Sequence, residues 1–258
     1  MLAYALNHYA AYLLVLLRIV AFIGTSPVLS IRIWPNPAKL GLAAFIAMWV
    51  APTVNGQVPS PFMDPGNYIL IALAETAIGM LLGFLATMVF SAVTIAGQIF
   101  DVQIGLSSAT LFDPSQNQSE SLTASLQSLL FTLYFLGVNG LDGLVLAIMN
   151  SYQLVPIGHF HLHNGLWQLL TTVFGSTMDL AVQLAAPLVV ALLLTDITFA
   201  FLSRAVPQMN VFVVGLPAKL FVGLTVFAVL MPGLTYLFGQ LFTNLFTQMN
   251  VLLQWLGG

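Results

Sequence analysis

The sequence predicts an all-α membrane protein, and three observations lead to that fold class. Of the 258 residues, 59% are hydrophobic and only 5% are charged, whereas soluble domains carry about 25% charged residues. The mean hydropathy of +0.99 agrees with this composition. The apolar runs are about as long as a bilayer-spanning helix, and they lack the two-residue alternation of barrel strands. Lipid or apolar partners must therefore replace water over much of the surface.

The composition also excludes several classes of function. Five Lys and Arg in all, with a net charge of -3, are too few for a surface that follows nucleic-acid phosphates. The absence of Cys excludes disulfides, thiolate catalysis and cysteine-ligated metals. We find no phosphate-binding loop with lysine, no His-Glu-x-x-His zinc motif and no Gly-x-Ser-x-Gly nucleophile motif. We therefore expect no enzymatic activity, no cofactor and no resident metal.

The first 149 residues contain four apolar segments. Residues 9–28 form the first, and no basic region precedes it, which favours a retained helix over a cleaved signal peptide. Residues 40–54 form a short second segment. The third covers residues 69–99, and the fourth, residues 122–149, is interrupted by a polar stretch at residues 139–142.

Two local motifs mark the third segment. Asp64-Pro65 predicts its start, with Asp as the N-cap and Pro at the first helical position. Gly79 and Gly83 form a GxxxG pair, which permits close contact with another helix.

The second half predicts a long helix and two further segments. Residues 166–202 form the fifth segment, with a bend expected at Pro187. Residues 211–230 form the sixth and residues 233–256 the last, giving about six to seven helical segments in all. The last segment carries apolar residues at helical spacing, which predicts a helix at the membrane interface or facing a partner subunit: Leu237, Leu241, Leu245, Met249 and Leu252.

Charged residues within the apolar segments are candidates for function. They are Arg18, Glu75, Asp142, Asp179 and Asp196. A charge at membrane depth costs about 2.5–3.5 kcal/mol on insertion scales, so it needs a partner or a water-filled cavity. One interpretation is an ion or proton pathway. Pairing between helices or subunits is the favoured interpretation, because no segment carries the close acidic pair that suits a proton relay.

Two polar loops leave further alternatives open. His159, His161 and His163 would share one face of an extended segment and could ligate a metal, but the favoured interpretation is a hydrated polar loop. The loop from Gly105 to Pro114 either ends in a helix start or is a non-helical stretch at membrane depth. Such a stretch is tolerated only where protein buries it or where it lines a cavity, which makes it a candidate constriction.

Short motifs in a fixed order run along nearly the whole chain. They include Leu17-Arg18-Ile19, Ser26-Pro27, Gly97-Gln98, Phe112-Asp113-Pro114, Asn139-Gly140 and Pro207-Gln208-Met209-Asn210-Val211-Phe212. In these motifs the sequence resembles the FliR family of flagellar export-gate proteins, whose injectisome counterparts are called SctT. The residues of the Pro-Gln-Met-Asn-Val-Phe motif favour the flagellar members of the family over the injectisome members.

The resemblance implies a fold, a location and a set of partners. Residues 1–165 would resemble a FliP subunit, and residues 166–258 a FliQ helical hairpin with a C-terminal helix. The protein would lie in the bacterial inner membrane, in the flagellar basal body. There it would assemble with FliP-like and FliQ-like subunits, FlhB and FlhA, and pass unfolded export substrates.

The resemblance also assigns site residues. It places a plug loop at about residues 103–120, with a gate formed by Gly105, Leu106, Ser107, Ser108, Ala109, Thr110, Leu111, Phe112, Asp113 and Pro114. The family-motif and subunit-packing positions are Arg18, Pro27, Arg32, Lys39, Gln98, Asn139, Gly140, Pro156, Gly158, Arg204, Pro207, Gln208, Phe212, Gly215 and Pro217.

Three other functions stay open from the residues. An injectisome gate subunit would share the resemblance. A small-solute transporter would need a midplane site between repeats, coupled to protons through Glu75, Asp142 or Asp196, and we find no internal repeat of that kind. A membrane enzyme would need a metal at the histidine-containing loop.

Overall fold

The computed structural model describes residues 2–30, 34–53, 64–105, 121–160, 165–206 and 211–257, with the backbone alone at residues 2–8 and 211–212. These ranges hold seven α-helices and one short 3₁₀ turn, Ala51–Thr53. The helices are α1 (Leu2–Thr25), α2 (Asn36–Val50), α3 (Pro65–Ile104), α4 (Leu122–Gly137), α5 (Gly140–Leu154), α6 (Leu166–Ala205) and α7 (Val211–Gly257). The predicted all-α class is confirmed.

The ends of α3 follow from local sequence. The helix begins at Pro65, and the backbone N–H of Asn67 donates to Asp64 Oδ1 at 3.2 Å. This confirms the predicted N-cap. The helix ends at Ile104 and is followed by Gly105 at φ 90°, a left-handed conformation that glycine adopts without strain.

Two predicted boundaries are wrong. The segments predicted at residues 211–230 and 233–256 form a single helix, α7, which contains both Pro217 and Pro232. Proline is tolerated inside membrane helices, because neighbouring groups satisfy the freed backbone carbonyl. Conversely, the fourth segment is two helices rather than one. Asn139 lies between them at φ 59° and ψ 37°, in the left-handed region.

Three helices in the described ranges are long and apolar enough to cross a membrane, and α4 with α5 makes a fourth if the two count as one interrupted span. α3 and α6 have 40 residues each and α7 has 47. At about 1.5 Å per residue they exceed the roughly 30 Å hydrocarbon core about twofold. Helices of this length must tilt strongly or extend beyond the hydrocarbon.

The chain divides into two compact units, and the first comprises Met1–Val89, Val138–Phe174 and Thr243–Gly258. Its core joins α1 to the first half of α3. A side chain at Gly79 would overlap the backbone of Arg18, and one at Gly83 would overlap Thr25. The predicted close contact at the GxxxG pair is therefore confirmed. The Thr87 hydroxyl adds a 2.6 Å hydrogen bond to the Thr25 carbonyl.

The second unit comprises Phe90–Gly137 and Gly175–Phe242. Aromatic rings form much of its core. Phe131 lies between Phe90 and Phe238, with ring centroids at 4.7 Å and 5.2 Å. Phe135 lies 5.4 Å from Phe90 and 5.7 Å from Phe242.

The apolar stripe predicted along the last segment lies inside the chain. Leu241, Leu245, Met249 and Leu252 are completely buried within the described structure. These four residues therefore do not face lipid or a partner subunit, while for the other faces of the helix a position at the membrane interface or against a partner stays a prediction. Helical spacing of apolar residues indicates a face that is covered, and here the chain itself covers it.

Candidate functional site

The first cluster of polar side chains surrounds Arg18 in α1. Its Nε donates to Glu75 Oε2 at 2.6 Å, its Nη1 to Ser151 Oγ at 3.0 Å and its Nη2 to the Val155 carbonyl at 3.0 Å. The guanidinium carbon lies 4.1 Å from the ring centroid of Tyr152. The side chains of Arg18 and Glu75 are 0% and 1% exposed. Helices α1, α3 and α5 therefore meet at one neutralised, fully dehydrated ion pair.

This geometry supports a structural role for the cluster. Each of the three guanidinium nitrogens donates a hydrogen bond, and one face of the guanidinium plane is covered by the Tyr152 ring. Ser151 in turn donates to the Ile148 carbonyl at 2.6 Å, and Tyr152 donates to the Val15 carbonyl at 3.0 Å. A buried charge is stable only when it is paired and hydrogen-bonded in this way.

The other charges in the apolar segments fall into two groups. Asp196 in α6 forms an ion pair with Lys219 in α7 and accepts a 3.4 Å hydrogen bond from Gln103 Nε2. Asp142 and Asp179 are exposed on the surface of the described chain. Pairing between helices is thus confirmed for Arg18 with Glu75 and for Asp196 with Lys219.

The second polar cluster lies in the second unit, at Asp101 near the end of α3. Its carboxylate accepts hydrogen bonds from the hydroxyls of Ser121 and Thr123, and from the Thr123 backbone N–H at 3.2 Å. Ser121 is the N-cap of α4, because its hydroxyl accepts from the Ala124 N–H at 3.3 Å. The carboxylate thus lies at the positive end of the α4 dipole, where an anion is stabilised.

The cluster also requires close approach of α3 and α4. The Thr123 hydroxyl lies 3.0 Å from the Gly97 carbonyl, and a side chain at position 97 would overlap the Ala124 backbone. Gly97 and Asp101 lie one turn apart on α3, so one face of that helix provides both the space and the acceptor. These contacts join the last turns of α3 to the start of α4.

Helix α7 packs beside the end of α3. Gly223 of α7 faces the side chains of Ile104 and Phe100, and Phe100 stacks on Phe227 at 6.0 Å between ring centroids. The end of α3 therefore contacts α4 on one side and α7 on another, all within the second unit.

The structure places the predicted site residues at several points rather than in one constellation. Gly105 follows α3, while residues 106–114, Arg32, Pro207 and Gln208 lie outside the described residues. Arg18 is brought next to the turn that holds Pro156 and Gly158, through its bond to the Val155 carbonyl.

The remaining motif residues either make local contacts or lie exposed on the surface of the described chain. Lys39 donates to the Ser30 carbonyl at 2.9 Å and so ties α2 to the turn after α1, where Pro27 lies. Gly158 has a φ of 80°. Gly140 begins α5, and Gly215 lies buried in α7. Three further positions are exposed on helices: Gln98, Arg204 and Pro217. Phe212 is helical in its backbone.

Of the three histidines considered as metal ligands, the structure describes one. His159 lies after α5, near the Ile157 carbonyl at 3.2 Å, whereas His161 and His163 lie outside the described residues. Within the described ranges no group of three potential ligands could hold a metal ion.

Sequence reasoning missed the residues that complete both clusters. It identified Arg18 and Glu75 as charges but gave neither a partner, and it did not single out Asp101, Ser121 or Thr123. One signal was present, because Ser-x-Thr directly before an apolar run is typical of a helix N-terminus. The distant acceptor on α3 carries no such local signal.

Comparison with known proteins gives a family match over most of the chain. Residues 9–245 match the model of the family described as bacterial export proteins, family 1. The flagellar biosynthetic protein FliR of Escherichia coli K12 is 35% identical over 232 residues, covering 90% of this chain and 88% of the relative. FliR of Bacillus subtilis 168 is 32% identical over 252 residues, covering 96% of each. The Yop proteins translocation protein T of Yersinia pestis is 33% identical over 214 residues, covering 81% and 80%.

Proposed function

The chain belongs to family 1 of the bacterial export proteins, and we propose that it is a structural, pore-forming subunit of the flagellar type III protein export gate. The observation that carries this function is the match to flagellar relatives over almost the full chain. The protein is a multi-pass component of the bacterial inner membrane, in the flagellar basal body. It carries unfolded export substrates across that membrane and closes the path when none is present.

The surface of the chain supports assembly with other membrane subunits. Large apolar side chains project from α6 and α7, with Phe201 66% exposed and Phe221 73% exposed. Apolar patches of this kind mark contacts with protein or lipid. The partners are FliP-like and FliQ-like subunits, with FlhB around them and FlhA beneath. Residues 1–165 would pack in the assembly as a FliP subunit does, and residues 166–258 as a FliQ hairpin does.

The gate is assigned to residues 105–114. Two observations support this assignment. One is the resemblance of the segment to the family's plug loop. The other is the pair of hydrogen bonds from the Ser121 and Thr123 hydroxyls to the Asp101 carboxylate, which join the helices on either side of the segment. In this role the small and apolar residues of the segment would close the channel at rest and yield to a substrate. The closing is passive, and the energy for transport comes from other components.

A virulence-type injectisome gate is the second candidate function. It is favoured by the 33% identity to the Yersinia protein. The flagellar relatives cover more of the chain, 90% and 96% against 81%, which gives the flagellar system precedence.

The test is purification of a tagged copy from its native membrane, with mass spectrometry of the proteins that stay bound. We expect FliP-like and FliQ-like subunits in one large complex, and loss of flagellar filaments when the gene is deleted. Recovery with needle-complex proteins and intact motility would favour the injectisome. A monodisperse protein that binds a small solute would overturn both in favour of a transporter.

A further inference from the structure

Gln127 is a buried side chain in α4 for which the described residues offer no hydrogen-bond partner. It is 1% exposed, and neither its Nε2 nor its Oε1 is bonded. Unsatisfied buried groups are rare in native structures and indicate a bound water or a functional role. Thr123, Gln127 and Phe131 are all buried and lie four residues apart. Gln127 therefore shares a face of α4 with the residue that binds Asp101 and the residue that contacts Phe90.

The start of α4 contains a short tandem repeat. Residues 121–124 read Ser-Leu-Thr-Ala, and residues 125–128 read Ser-Leu-Gln-Ser. In residues 121–124, two side chains donate to Asp101, and the small fourth residue, Ala124, packs closely against Gly97. One turn later residues 125–128 offer the same chemistry: a hydroxyl, a side-chain N–H donor and a small residue.

The aromatic core repeats with the same spacing. Phe131 contacts Phe90 and Phe238, at 4.7 Å and 5.2 Å between ring centroids. Phe135, four residues later, contacts Phe90 at 5.4 Å and Phe242 at 5.7 Å. A displacement of α4 by four residues would put Phe135 where Phe131 lies, and Phe131 where Gln127 lies.

We propose that α4 has a second register on α3, displaced by four residues toward its own N-terminus, in which Ser125 and Gln127 replace Ser121 and Thr123 as donors to Asp101. The displacement is about 6 Å at 1.5 Å per residue. Steps of one helical turn between packed elements are an established form of switching. The described structure is the resting register, and the second register is populated while a substrate passes. The link to transport rests on the proposed function, whereas the two registers do not.

The first test is Gln127→Leu in the assembled gate. Leucine has a similar size but no polar atoms, so the resting register gains stability and the second register loses a donor. We expect a higher thermal midpoint of the purified complex together with export reduced about tenfold, the effect of one lost hydrogen bond. The control is Thr132→Val, because Thr132 lies on the same helix and its hydroxyl donates to the Ser128 carbonyl, within α4 itself. We expect it to change neither quantity.

Either of two results would overturn the proposal. A higher midpoint with unchanged export would mean that Gln127 is only poorly packed. A lower midpoint would mean that the amide is already satisfied, for instance by a buried water, in the resting state.

A distance measurement tests the register itself. The chain has no native Cys, so spin labels can be placed at Val102→Cys on α3 and Leu129→Cys on α4, which are 67% and 55% exposed. In native membranes with an arrested substrate we expect a second population, shorter by up to about 6 Å, which Gln127→Leu removes. One unchanged distance in arrested gates would refute the second register. Because both labels lie on this chain, the distance reports the register even if the partners differ from those proposed.

Discussion

Arg18 and Glu75, which lie 57 positions apart in the chain, form a 2.6 Å ion pair from which water is excluded. The pair joins α1 to α3, and Ser151 and the Val155 carbonyl extend it to α5. The sequence alone places both charges in apolar helices, where each would be costly. Together they are neutral, and they specify how three helices meet.

Removal of one partner is therefore expected to be far more harmful than removal of both. Glu75→Ala leaves a buried guanidinium without its anion and should cost about 3–5 kcal/mol, whereas Arg18→Met combined with Glu75→Leu should recover much of that loss. The measurement is the thermal midpoint of the purified complex and the amount of chain in the membrane. Asp142→Ala, at an exposed carboxylate, is the control. A single variant as stable as the unmodified protein would refute the structural role.

Loss of the Asp101 carboxylate should loosen the start of α4. Asp101→Ala leaves the hydroxyls of Ser121 and Thr123 without their acceptor, at a cost of about 1–3 kcal/mol. We expect faster hydrogen exchange at the first turn of α4, measured by mass spectrometry on the assembled gate. Thr132→Ala, which also removes a hydroxyl from α4, should leave that turn unchanged. Equal exchange in both variants would show that the carboxylate does not hold this helix.

Space at Gly97 is required for the contact between α3 and α4. Gly97→Ala would drive a methyl group into the Ala124 backbone, which cannot move as a flexible side chain can. We expect a loss of about 1–3 kcal/mol, the usual cost of overpacking, seen as a lower thermal midpoint. The matched control is Gly175→Ala in α6 of the same unit, where a Cβ would meet nothing within 4 Å. A stable Gly97→Ala variant would contradict the close approach of the two helices.

Polar substitution in the gate segment should make the channel leak. Leu111→Ser with Phe112→Ser removes two of the three large apolar side chains of the segment, so that water and ions pass at rest. The readout is ion conductance of assembled gates in a planar bilayer, with co-purification of the partners as proof of assembly. Ser115→Asn, a polar change in a neighbouring position, serves as the control. Unchanged conductance in an assembled double variant would refute the assignment of the plug.

The fold class and most helix positions follow from composition and apolar run length. The N-cap at Asp64 and the GxxxG contact at Gly79 were also predictable, because each depends on residues close in sequence. The continuity of α7 could not be predicted. Pro232 indicates the end of a helix, and only the packing of neighbouring groups around it shows that the helix continues. The break at Asn139 was anticipated as a polar interruption, but not as the end of one helix and the start of another.

The polar clusters were less predictable, for a physical reason. Arg18 and Glu75 are each conspicuous in an apolar run, yet only packing decides which partner lies within reach. Asp101 was not singled out at all, because its acceptor role depends on a helix that begins some twenty residues later. The gate assignment rested on the polar character of its loop and on the resemblance, and residues 106–114 lie outside the described ranges, so that assignment stays a proposal.

The Arg18 cluster also constrains the synthesis of the protein. A ribosome makes Arg18 first, Glu75 57 residues later and Val155 137 residues later. At about 5–20 residues per second the arginine waits roughly 3–11 seconds for its counter-ion. During that interval α1 carries an unpaired cation whose insertion costs about 2.5–3.5 kcal/mol. We therefore expect the first helix to be fixed at its final depth when α3 arrives, so that these two helices insert together.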